Sequence, residues 1–150
     1  MTLIRAIHPV AGAVALGMIT LFWLSTALSE LFAGPATVAM VKTLIPWGFL
    51  ILIPALIGVG ASGAHLSRTR RGALVAGKQK RMPFIAANGV LILIPSALFL
   101  ASRAGAGVFD GAFYGVQAIE LIAGALNIAL LSLNMRDGLR MRAQRRHRPA

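Results

Sequence analysis

The chain has 150 residues, 57% of them hydrophobic and only 13% charged, a balance that excludes an ordinary water-soluble domain. Four acids (Glu30, Asp110, Glu120, Asp137) stand against fifteen Lys and Arg, and the net charge of +11 lies beside apolar segments rather than on a separate polar domain. That placement argues against nucleic acid as a partner and for membrane lipids with anionic headgroups, while the lack of cysteine excludes disulfides, thiolate-bound iron-sulfur clusters and covalently attached c-type haem.

Predicted helix 1 spans about 9–32, where an uncharged run from Pro9 to Ser29 follows Arg5 and ends at Glu30. The run is too long for a signal-peptide core and no A-x-A cleavage site follows it, so it reads as a retained span. Helix 2 is expected over 43–66 and helix 3 over 82–103, each long enough at about 1.5 Å per residue to cross an apolar layer of about 30 Å. Helix 4 is expected over 111–135, interrupted by Glu120, with a basic tail over 136–150 that is flexible or lies along the membrane surface. His147 in that tail has no companion ligands and reads as neither metal site nor catalyst.

All but Lys42 and Arg103 of the fifteen basic residues fall before helix 1, between helices 2 and 3, or after helix 4. The positive-inside rule then places both termini in the cytoplasm and predicts an all-α, up-down-up-down four-helix bundle in a bacterial inner membrane. Lys42 and Arg103 flank the outer loops, and Trp47 and Tyr114 are expected at the outer interface. The string from Gly48 to Pro54 is echoed from Gly89 to Pro95, ending in the same LILIP, and both prolines are expected to kink their helices. Gly72, Gly77 and Lys78 have the spacing of a phosphate-binding loop, but Gln79 stands where a Ser or Thr would bind magnesium and no strand precedes it, so no nucleotide is expected.

The most specific pattern lies in helix 4, where Gln117, Glu120, Gly124, Asn127, Leu131 and Asn134 recur at alternating spacings of three and four. Amides and a carboxyl are costly against lipid, so this stripe is expected to face the bundle interior. Comparable stripes run from His8 through Gly12, Ala15, Ile19, Phe22 and Thr26 to Ser29, and from Trp47 through Ile51, Pro54, Gly58 and Ala61 to His65. In helix 3 the stripe is Phe84, Asn88, Leu91, Pro95, Leu98 and Ser102, with Asn88 level with Asn127 and expected to bond to it.

His8 opens helix 1 and His65 closes helix 2, which brings both to the cytoplasmic end. As cofactor and metal ligands they are candidates for the two axial positions of a b-type haem, with Gly12, Ala15, Gly58 and Ala61 leaving room for a flat ring and Arg5 or Arg68 holding propionates. Headgroup contact or helix capping is the plainer role of each histidine. Glu120, about 14 Å into helix 4, is an intramembrane carboxyl with no basic residue expected at its depth, and is therefore expected to be neutral at rest. It is either a proton-transfer group, helped by Gln117 and the hydroxyls of Thr26 or Ser96, or a neutral acid bonded across helices.

The strings HPVAG (His8 to Gly12), FWLSTALSELFA (Phe22 to Ala33), RMPFIAANG (Arg81 to Gly89), FYGVQAIELIAGALN (Phe113 to Asn127) and LNMRDGL (Leu133 to Leu139) resemble a group of uncharacterised four-helix membrane proteins of proteobacteria. The resemblance covers most of the chain and implies no activity. His8, Asn88 and Glu120 lie inside these strings and His65 lies outside them. Three functions stay open: an accessory or assembly subunit with a polar hydrogen-bonded core, a b-type haem electron-transfer protein using His8 and His65, and a proton-coupled or small-solute transporter built on Glu120 and Asn127. A membrane-protein partner or a homo-oligomer is compatible with each.

Overall fold

The computed structural model describes residues 2–68 and 73–146, and every regular element in them is helical. α1 covers Thr2–Phe32, α2 Pro35–Arg68, α3 Ala73–Asn88, α4 Ile94–Gly105 and α5 Gly111–Arg146, with a π-helical turn at Gly89–Leu93 joining α3 to α4 in an unbroken helical backbone. The described residues thus make four helical rods, each long and apolar enough to cross a membrane.

The rods outrun the charge-free segments used to predict them. α2 starts eight residues before position 43, so Lys42 lies inside the helix rather than in an outer loop, and Trp47 lies twelve residues beyond Pro35, in mid-helix. α5 continues to Arg146, so most of the expected basic tail is helical, while His147 lies outside the described residues. Gly77 and Lys78 sit within α3 and Gly72 lies outside the described residues, which leaves no phosphate-binding loop among those described. A charged residue ends an apolar run in sequence without ending a helix, because the backbone ladder does not depend on side-chain polarity.

Short connections set the neighbours. Ala33 and Gly34 join α1 to α2; the Gly34 carbonyl accepts from the amides of Thr37 and Val38, and Pro35, which has no N–H, opens the helix where none is needed. Between α4 and α5, Gly107 takes φ +70°, and Asp110 Oδ1 accepts from the Phe113 amide at 3.0 Å as an N-cap.

The repeated LILIP string adopts two backbones. Pro54 lies within continuous α-helix, whereas Pro95 follows the π turn, in which the Ile94 amide donates to the Gly89 carbonyl. Pro95 has no N–H to offer Leu91, and the wider turn is one way to absorb that loss.

The interior faces of α1 and α5 match the expected stripes: Ala15, Ile19, Thr26 and Ser29 are buried, as are Gln117, Gly124, Asn127, Leu131 and Asn134. Those of α2 and the third rod do not. Trp47 is 72% exposed and Ile51, Pro54, Ala61 and His65 are exposed too, while the inward face of α2 runs through Val38, Lys42, Ile45, Leu52, Val59 and Ser62. Along the third rod, Phe84, Leu91, Pro95, Leu98 and Ser102 face outward and the buried residues are Ile85, Ser96, Ala97, Leu100 and Ala104.

Two glycines set how closely the rods approach. A Cβ at Gly48 would overlap the Phe22 ring, and one at Gly124 would lie 2.8 Å from Trp23 Cδ1. Gly48→Ala is therefore expected to destabilise the fold by about 1–3 kcal/mol, as overpacking does, and to lower the thermal unfolding midpoint in detergent. Gly17→Ala, where a methyl meets nothing within 4 Å, is the matched control and should hold or raise that midpoint.

Candidate functional site

The site is built where α1, α2 and α5 meet. Thr26 on α1, Lys42 on α2 and Gln117 and Glu120 on α5 converge, each about 9–14 Å along its helix from the nearer end. Lys42 Nζ donates to Glu120 Oε2 at 2.5 Å and to Thr26 Oγ1 at 3.3 Å, and Gln117 Nε2 donates to the same Glu120 oxygen at 3.4 Å. The Lys42 side chain is 0% exposed and that of Glu120 12%. Glu120 therefore has a base at its own depth, which corrects the expectation of an isolated neutral acid.

Glu30 lies one helical turn beyond Thr26, on the same face of α1. Its Oε1 is buried without a hydrogen-bond partner, and so is Gln117 Oε1. A buried polar oxygen without a donor costs about 1–3 kcal/mol, more if charged, so these two atoms are where an incoming proton or cation gains most.

Below this cluster the bundle holds a cavity of about 340 Å³. Phe22, Trp23, Phe49, Leu52, Ile85 and Leu93 form much of an apolar wall, with Thr26, Glu120 and Asn127 among the polar residues that reach it. Glu120 and Asn127 bracket Gly124, whose missing side chain admits the Trp23 indole, and Trp23 Nε1 donates to the Leu121 carbonyl at 2.8 Å.

Beyond the cavity a polar ladder joins α3 to α5. Asn88 Nδ2 donates to Asn127 Oδ1 at 2.9 Å and to the Ala123 carbonyl at 2.8 Å, and Asn127 Nδ2 donates to the Ile85 carbonyl at 3.4 Å. Arg81 Nη1 then reaches Asp137 Oδ2 at 2.7 Å and Asn134 Oδ1 at 3.2 Å. The structure thus brings Gln117 together with Glu120, and Asn88 with Asn127, with the cavity between the two pairs.

The histidines are differently placed. His8 Nδ1 lies 2.8 Å from Ser62 Oγ, whose hydroxyl also reaches the Gly58 carbonyl. His65 is exposed. A Cβ at Gly58 would stand 3.4 Å from the Ala11 Cβ, and one at Gly63 3.3 Å from His8 Cε1, so the small residues here let α1 and α2 approach each other. No group of three or more His, Asp or Glu able to hold a metal occurs among the described residues.

Sequence reasoning missed Lys42 and Arg81, having counted them as topogenic charge, and gave Asp137 no partner. A signal for Lys42 was present: it precedes Ile45, Phe49, Leu52, Leu56 and Val59 at alternating spacings of three and four, in register with the inward face of α2.

No protein-family model matches the chain, and no curated protein or solved structure does either.

Breaking a buried pair from one side costs about 3–5 kcal/mol because the other charge is stranded, whereas removing both can be close to neutral. Lys42→Met and Glu120→Gln are each expected to lower the unfolding midpoint markedly, and the double variant to recover most of the loss. A double variant as unstable as the sum of the single ones would disprove the pairing.

Proposed function

We propose that this chain is a multi-pass protein of a bacterial inner membrane, folded as an up-down-up-down bundle with both ends cytoplasmic, and that it works as a proton-coupled carrier of a small solute. The reading is carried by the buried Lys42–Glu120 pair at one end of a cavity that opens between the helices. Support for a lipid setting comes from the four long apolar helices and from large exposed side chains such as Leu24, Leu28, Leu50, Leu91 and Ile122, which water would penalise.

Two carboxyls and one ammonium share the upper cluster, so its charge balances only with one further positive charge. In a low-dielectric interior that charge is a proton or the solute. When Glu120 takes the proton, its hold on Lys42 weakens, and the ammonium turns toward Glu30, whose Oε1 lacks a donor. Neutral Glu120 then belongs to the cavity rather than to the ion pair. At the other end Arg81 and Asp137 form a second closure, 27% and 4% exposed, so the cavity lies between two ion pairs that can part in turn.

The test uses purified protein in liposomes carrying an internal pH-sensitive dye, with a potassium diffusion potential to drive protons. Wild-type flux is expected several-fold above protein-free vesicles, with the stable Lys42→Met/Glu120→Gln variant at the protein-free level. Equal flux from wild type and double variant would remove the carrier reading.

A further inference from the structure

We infer that the solute is a hydrophobic organic amine, bound as its cation, which enters the cavity sideways between α2 and α3. This assignment of a substrate class rests on the carrier reading; the binding itself is measurable without transport.

The first argument is the donor and acceptor inventory of the cavity. Asn127 has its amide engaged by Asn88 and the Ile85 carbonyl, and Trp23 Nε1 is engaged by the Leu121 carbonyl. Thr26 Oγ1 already accepts from Lys42, and Lys42 itself does not line the cavity. The one charged residue of the lining is Glu120, at the end of a largely apolar chamber whose other polar groups, the Thr26 hydroxyl and the Asn127 amide, are neutral. An anionic molecule would meet a carboxyl there. A protonated amine supplies both the donor and the missing positive charge.

Shape and surroundings agree. Phe22, Trp23 and Phe49 line the chamber, and aromatic faces attract cations when water is excluded. The volume of about 340 Å³ is more than twice the roughly 150 Å³ that takes one benzene ring, which suits an aromatic ring with a short alkylamine arm. An apolar chamber gives a molecule dissolved in acyl chains little reason to leave them, so the carboxyl must supply the selectivity.

The entrance follows from the packing. α2 lies close along α4 and meets α3 only sparsely, and on that side the lining residues Ile57 and Val90 are 64% and 61% exposed. Ala86, on the same wall, is exposed as well.

Charge closes without any other reactant. An arriving amine cation displaces about one proton from the cluster of Glu30, Lys42 and Glu120, which keeps the net charge of the buried site the same before and after binding.

The experiment uses the full-length chain in lipid nanodiscs with Trp47→Phe, which leaves Trp23 as the reporter inside the cavity. N,N-dimethyl-2-phenylethylamine should quench its fluorescence saturably and release protons to a pH dye, whereas propylbenzene and 3-phenylpropionate should give only unsaturable partitioning. Affinity should fall at least about tenfold, some 1.4 kcal/mol, in the Lys42→Met/Glu120→Gln variant and in Ala86→Phe, which places a ring across the entrance without touching the ion pair. Saturation by propylbenzene would reduce the cavity to an apolar void. Preference for 3-phenylpropionate would make Lys42 the recognising group. No saturable quenching by the amine, or undiminished binding in Ala86→Phe, would equally overturn the inference. Glu120-dependent proton flux without amine binding would leave the carrier standing and discard the amine, and amine binding without such flux would do the reverse.

Discussion

An ammonium with no exposed surface cannot be left unpaired, and the position of Lys42 therefore constrains three helices at once. Its carbon stem rises from α2, its charge is met by Glu120 of α5 and its second bond is taken by Thr26 of α1. Rotating any of these rods by one residue, about 100°, would carry a polar group out of reach. The apolar faces alone would not impose that register, since Leu and Ile recur on every side of α2 and lipid contact is no worse for them than contact with one another. Polar contacts on this scale add little net stability, yet a misaligned one costs much more than an aligned one gains, so they select among arrangements that packing leaves close in energy.

The same logic extends along α5. Gln117, Glu120, Asn127, Asn134 and Asp137 form a polar seam along the inward face of that helix, and its partners come from different rods: Lys42 above, Asn88 and Arg81 below. Gly124 and Leu131 interrupt the polar side chains on this face, and at Gly124 the indole of Trp23 and the cavity fill the space. The π turn at Gly89–Leu93 lines the opposite wall, next to Asn88. Widening the backbone at that point displaces the following residues of α4 relative to α3, although the stripe through Phe84, Leu91 and Leu98 lies on the outer surface on both sides of the turn.

This contrast shows what could be read before the structure. Four long apolar helices and the inward faces of α1 and α5 were legible because small and polar residues mark them, and because a carboxyl or an amide has few tolerable positions in an apolar bundle. The faces of α2 and α3 were not. Anchoring the first on His65 and Trp47 and the second on Phe84 assumed that a polar or aromatic residue points inward, whereas all three lie on the outside. The partner of Glu120 was hidden for a related reason: counting charges by loop takes every Lys or Arg near an apolar run as its boundary. Lys42 is instead a member of the run, recognisable only when the alternating spacing is carried backward from Ile45 through the charge.

Holding and admitting are opposed demands on an interior of this kind. A seam polar from end to end would lock the rods together and leave no chamber, while a wholly apolar one would collapse or fill with lipid chains and recognise nothing. The arrangement separates the two: ion pairs and amides fasten α5 at both ends, and the absent side chain of Gly124 together with the sparse contact of α2 with α3 leaves space between them. Glu120 belongs to both parts, bonded to Lys42 through Oε2 while bordering the cavity. Any change in its charge must alter the fastening and the chamber together, which is the physical requirement for coupling a proton to a solute.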